Sequence, residues 1–248
     1  MDLKSELYFS NKTKTIYDGI IIKKRLKPEN ITDLYRLNLL LSRELYLVLN
    51  LLECAFKQKL HHRMTEIHNT TNWFNQIHWL PAQYETLREA VLRHRKITHP
   101  ADLLDDLTLG FWRSLLSDCY QKEIFTPAIA RLFTAGGSYE ELSRSALQKA
   151  FTRVMHYRNA IAHCDVIINE ERRLLNSYNE FTNLLCRLDG MSYQLVKKYC
   201  RFEHYYRILK WSPYSFPAWL HSLRYRTHRA FYMLLGKVKN RIQPYLSF

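Results

Sequence analysis

Arg158-Asn159-Ala160-Ile161-Ala162-His163 brings together three side chains that can act on a phosphate. A guanidinium clamps phosphate oxygens with a planar fork of donors. An imidazole moves protons near neutral pH. The amide of Asn159 can orient either of them. A plain alternative exists, because cations at a helix C-terminus are favoured by the helix dipole. The surrounding pattern separates the two readings. Leu147, Phe151, Val154, Arg158 and Ile161 recur at spacings of three and four, as one stripe of a helix. Arg158 stands where that stripe asks for an apolar residue. Arg is rarely buried unpaired, so Arg158 requires a carboxylate, a dimer partner or a bound anion. His156, Asn159 and His163 share the neighbouring face at i, i+3 and i+7.

The helix that carries these residues is expected to begin at Ser138. Glu141 completes a capping-box pattern there, after the break at Gly136-Gly137. A long helix is predicted from about Asn30 to His68, burying Leu34, Leu37, Leu41, Leu45, Val48, Leu52, Ala55 and Phe56. Glu53 lies on that buried stripe. A buried acid needs a partner, and Arg158 is a candidate. Further helices are expected from Ala82 to about Lys96, from Pro127, and from Glu170 to about Tyr199. The Leu103–Leu116 segment is strongly apolar, and its Gly110-Phe111-Trp112 reads as a close helix approach used for packing. Residues 1–28 read as a short helix or extended arm followed by a turn. His61, His62 and His68 read as solvated helix surface.

The formal net charge is +14, which favours a polyanionic partner such as RNA, DNA or an anionic membrane face. Five dispersed Cys with no C-x-x-C pair give neither a zinc site nor a disulfide framework. No Gly-rich phosphate loop, Gly-x-Ser-x-Gly or His-Glu-x-x-His is present, so neither a metal nor a cofactor is expected. The N-terminus lacks signal-peptide character and no apolar run reaches membrane-spanning length. A cytoplasmic protein with reduced thiols is the expectation. The tail, 201–248, holds nine Lys/Arg, one acid and twelve aromatics, with its densest part at Arg224-Tyr225-Arg226-Thr227-His228-Arg229. Basic residues interleaved with aromatics suit RNA binding. A helical hairpin whose aromatics pack on the bundle is the equal alternative.

Three blocks of the chain together resemble one family. The hexad with its lead-in Met155-His156-Tyr157 resembles the Arg-Asn-x-x-x-His motif of HEPN domains, most closely the Abi-like branch of bacterial abortive-infection proteins. Leu107-Thr108-Leu109-Gly110-Phe111-Trp112-Arg113-Ser114-Leu115-Leu116-Ser117 resembles a second block of that branch. Leu34-Tyr35-Arg36-Leu37-Asn38, Leu41-Ser42 and Leu52-Glu53-Cys54-Ala55-Phe56-Lys57 resemble its long first helix. The blocks fall in family order over roughly residues 5 to 190. The resemblance implies an all-α fold, a HEPN-type helical bundle with a long first helix. Residues 1–200 are assigned to that domain and 201–248 to a basic, aromatic-rich C-terminal helical extension.

The resemblance also implies metal-independent endoribonuclease activity in an anti-phage toxin or effector. Arg158 and His163 become the catalytic pair and Asn159 their polar helper, with Glu53, His156 and Lys57 in support. Arg224, Arg226 and Arg229 are the candidate RNA contacts of the tail. The expected partners are RNA, a second copy of the chain, and an antitoxin or another defence-system protein, with no membrane. The chain departs from the pattern of the family it resembles in three places. Cys164 stands where many members have a second His. Asp165 stands where some toxins carry a modifiable Tyr. Lys57-Gln58 replaces an Arg-Asn pair. A non-catalytic RNA- or nucleotide-binding module, or a regulatory partner in a multi-protein system, is the alternative reading.

Overall fold

The unbroken apolar stripe of residues 34–56 produces the longest element of the chain. In the computed structural model, which describes residues 10–93, 100–134 and 142–211, helix α2 spans Ile31–His68. A 3₁₀ turn at Pro28–Asn30 leads into it. Asn69 ends it in the left-handed region at φ 51°, which Asn tolerates better than most residues. Every expected stripe residue of α2 is buried. Among the described residues all regular structure is helical, with no strand. None of these helices is long and apolar enough to cross a membrane.

The chain divides into two compact units. One comprises residues 1–37 and 207–248. Its helix α1, Asn11–Lys24, is capped by Ser10, whose hydroxyl accepts from the Thr13 amide. It ends where Arg25 turns left-handed, and the Lys24 ammonium donates to the Leu209 carbonyl at 2.6 Å. The other unit, 38–206, holds the hexad and most of α2.

Within the second unit, α6 (Arg144–Ala162) runs antiparallel to α2. The Phe56 and Phe151 rings lie 4.6 Å apart. Later α6 residues meet earlier α2 residues: Arg158 pairs with Glu53, and Asn38 binds the segment that follows α6. Helix α7 (Glu171–Leu188) covers α6 through Tyr157 and Phe181, whose rings meet edge-on at 6.0 Å. Arg153 and Glu180 pair across the same two helices, with Nε to Oε2 at 2.7 Å. The start of α9 (Phe202–Trp211) belongs to this unit, with Phe202 stacked on Tyr178 at 4.0 Å. A cluster of Trp73, Phe74, Trp79, Phe111 and Tyr120 forms a second part of the core.

Several elements differ from the sequence expectation. The motif helix starts at Arg144, not Ser138. Leu142 and Ser143 are not helical, and the Ser143 hydroxyl caps the helix by accepting from the Ala146 amide at 3.2 Å. Ser138 and Glu141 lie outside the described residues. The helix expected over 170–199 is two helices, α7 and α8 (Gly190–Tyr199). Asp189 breaks it by taking an extended conformation, where its carboxylate caps the Ser192 amide. The helix α3 spans Pro81–Arg93; the rest of the expected 82–96 helix lies outside the described residues. Pro127 starts no α-helix. It sits in a turn between a π-helical Gln121–Phe125 and a 3₁₀ Ile129–Thr134.

The 103–116 segment forms two short helices, α4 (Pro100–Asp106) and α5 (Leu109–Ser114), with Thr108 capping the second. Phe111 and Trp112 are buried as packing residues. The close-approach role expected of Gly110 is not found. A Cβ there would meet only the Thr108 hydroxyl, at 3.5 Å, an ordinary contact. His62 is exposed as expected, but His61 is not solvated surface. Its Nδ1 accepts from the Trp73 indole at 3.0 Å, and burial, then the neighbouring His62, lowers its pKa. His68 is half-buried.

Candidate active site

Glu53 is the centre of the site. It is 7% exposed, on the buried face of α2, one helical turn before Lys57. Its Oε1 lies 2.7 Å from the Lys57 Nζ, and its Oε2 lies 3.1 Å from the Arg158 Nε. Lys57 is itself only 9% exposed. One carboxylate between two cations leaves the group net positive. A buried carboxylate stays charged only when paired in this way. The adjacent Cys54 thiol is pushed up by burial first and by Glu53 second, so it is held in its protonated form.

The side chain of Arg158 is 41% exposed. It reaches Glu53 through Nε, and it has no second ion pair among the described residues. Part of the guanidinium is therefore open to solvent beside the Glu53 contact and accessible to an anion. That is the partner demanded by an Arg on an apolar stripe.

His163 caps the C-terminus of α6 and is exposed. Its backbone N–H makes an ordinary helical bond to the Asn159 carbonyl at 2.9 Å, while the Asn159 side chain is exposed and makes no hydrogen bond to Arg158 or His163 among the described residues, so the orienting role expected of its amide is not seen. Cys164 follows in the left-handed region at φ 56°. The Asp165 amide then returns to the Ala160 carbonyl at 2.8 Å and the Cys164 amide to Ile161 at 3.1 Å. These two bonds close the helix in the Schellman pattern. Cys164 fills the position where glycine is usual.

Asn38 holds the next stretch of chain. It is 1% exposed. Its side-chain amide donates to the Asp165 carbonyl at 3.1 Å and its carbonyl accepts from the Ile167 amide at 2.8 Å. The loop that leaves His163 is thereby tied to α2. The sequence reading did not give Asn38 this role. The signal was present, since Asn38 is a polar residue between Leu37 and Leu41 on a buried stripe, the same logic that singled out Arg158.

The remaining candidates are more scattered. His156 is exposed, with its ring 5.6 Å from that of Tyr157. Seven residues separate it from His163, about 10 Å along a helix axis, so the two imidazoles do not form an immediate pair. Arg224, Arg226 and Arg229 lie outside the described residues. Among the described residues, no group of three His, Cys, Asp or Glu side chains is placed to hold a metal ion. No protein family, curated protein or solved structure is found to match the chain.

Proposed function

We propose that the chain is a HEPN-type, Abi-like endoribonuclease that cleaves RNA by metal-independent transesterification and acts as a toxin or effector in abortive infection. The observation that carries this reading is Arg158, held by Glu53 through Nε with part of its guanidinium open to solvent, five residues before a histidine at the helix end. RNA supplies its own nucleophile, the 2′-hydroxyl. The 2′-oxygen bonds to the adjacent phosphorus, the bond from phosphorus to the 5′-oxygen breaks, and a proton passes from the first oxygen to a base and from an acid to the second. Arg158 suits the charge that builds on the phosphoryl oxygens. His163 suits one of the proton transfers.

The second transfer needs another group. The separation of His156 and His163 along α6 favours a two-fold dimer, in which the partner's motif completes the site. Such an enzyme works in the cytoplasm, where an antitoxin or another defence protein restrains it. The test is incubation of the purified chain with RNA and with the same strand carrying 2′-deoxy nucleotides. The expected products are 2′,3′-cyclic phosphate and 5′-hydroxyl ends, and the deoxy strand should stay whole. A chain that binds both strands and cuts neither is the non-catalytic binding module instead.

A further inference from the structure

Helix α8 presents an unpaired basic and aromatic face outside the motif. It packs on α7 and buries Val196. On the exposed side stand Lys197, Lys198 and, just past the helix, Arg201. No acid occurs from Gly190 to Phe202. Glu203 is the next acid along the chain, and two other nearby carboxylates are already used. Asp189 caps the Ser192 amide and hydroxyl. Buried Glu44 accepts from the Arg201 backbone amide at 2.7 Å and from the Arg43 guanidinium. Several arginines of this unit behave differently: Arg43, Arg63, Arg88, Arg144, Arg153, Arg158 and Arg173 each meet an acid. Among the described residues, none of Lys197, Lys198 and Arg201 forms an ion pair.

Each lysine is matched with an aromatic ring. The Lys197 Nζ lies 5.5 Å from the centre of the Tyr193 ring and the Lys198 Nζ lies 5.2 Å from that of Tyr199. These are cation–π distances. Tyr199 is 42% exposed. Cations beside aromatic planes are what a single strand requires: phosphates meet the ammonium groups and unstacked bases meet the rings. A membrane-surface helix instead sets a broad apolar face against its basic one. Here Met191 is the one large aliphatic side chain on the exposed side of α8.

We infer that the Tyr193–Arg201 face of α8 is a docking surface for single-stranded nucleic acid, separate from the Arg158–His163 site. The inference does not depend on whether the chain cuts RNA. The strand approaches along α8, with phosphates on Lys197, Lys198 and Arg201 and bases against Tyr193 and Tyr199. In sequence this face leads directly into the basic 201–248 tail.

The test uses the full chain and a fluorescein-labelled oligodeoxythymidylate of about 16 nucleotides. This probe lacks the 2′-hydroxyl, so binding is read without cleavage. Anisotropy titrations over a range of salt give affinity and salt slope. Lys197→Gln with Lys198→Gln should weaken binding and reduce the magnitude of the slope by about 1.4, at about 0.7 per phosphate contact on a single strand. Lys197→Arg with Lys198→Arg should restore the slope. Tyr199→Leu should lower affinity by about 5- to 150-fold with the slope unchanged, the loss of one stacked base. An unchanged slope in the Gln variant overturns the inference, since the lysines are then a solvated helix end favoured by its dipole. Failure of the wild-type chain to bind the probe overturns it too. So does sedimentation with phosphatidylserine vesicles that is lost in the Gln variant while oligonucleotide binding is retained.

Discussion

Replacing Glu53 by Leu removes the acid from between Lys57 and Arg158. The two cations then face different situations. Lys57 is left almost fully buried without the carboxylate of its ion pair, and breaking a buried pair costs about 3–5 kcal/mol. Arg158 is nearly half exposed, so solvent screens it and its share is at most about 1 kcal/mol. The loss should therefore be dominated by Lys57 and should fall near 3–5 kcal/mol. The double variant Glu53→Leu, Lys57→Met removes both buried charges and should recover most of that loss, because an apolar pair of similar volume replaces a buried ion pair at little cost. Urea unfolding followed by circular dichroism gives the cycle, and the coupling should exceed 1 kcal/mol. Cleavage should not recover. Arg158 has lost its Nε anchor in both variants, and misplacement by about 1 Å costs on the order of 10²-fold. If Glu53→Leu unfolds within 1 kcal/mol of wild type, or the double variant is no more stable than the single, the buried triad does not act as described.

Three further outcomes are expected. Asn38→Ala leaves the buried Ile167 amide without its acceptor, so it should destabilise the chain by about 1–3 kcal/mol, speed hydrogen exchange at Ile167, and lower cleavage through the loop after His163. Mixed dimers of wild-type and His163→Ala chains should cleave less than wild-type dimers at equal concentration, and sedimentation showing that the active species is strictly monomeric contradicts a shared site. Neutralising Arg224, Arg226 and Arg229 together should reduce the magnitude of the salt slope for single-stranded RNA by about 2.1 and leave the product ends unchanged; an unaltered slope assigns those arginines to a solvated face.

The parts of the fold that could be read ahead are those set by periodicity. Helix α2 kept its expected end at His68, and its start moved by one residue, because its apolar positions recur without interruption from Leu34 to Phe56. The meeting of Glu53 and Arg158 was legible for a related reason. Each is a charge on an apolar stripe, and each stripe therefore required a complement. Segment 118–134 was not legible, since 3₁₀ and π turns carry no 3.6-residue period to detect. The break at Asp189 hid inside an apolar helical pattern, because a cap depends on one side chain and not on a repeat. The roles of Asn38 and His61 depend on partners elsewhere in the chain. Asn38 binds a loop 127 residues away, and the ring of His61 is set by an indole. Neither contact leaves a local pattern. The buried position of Asn38 was visible; its partner was not.

The central claim is that Arg158 and His163 perform the chemistry, and single-turnover cleavage of one labelled RNA by wild type, Arg158→Ala and His163→Ala tests it most directly. Both positions are half-exposed or exposed, so the variants should unfold close to wild type and their activities can be compared. Loss of a general acid or base costs about 10²–10⁴-fold and loss of a charge-stabilising donor about 10²–10³-fold, so each variant should lose at least about 10²-fold while still binding the RNA. Cleavage by either variant at the wild-type rate, with the same product ends, contradicts the account.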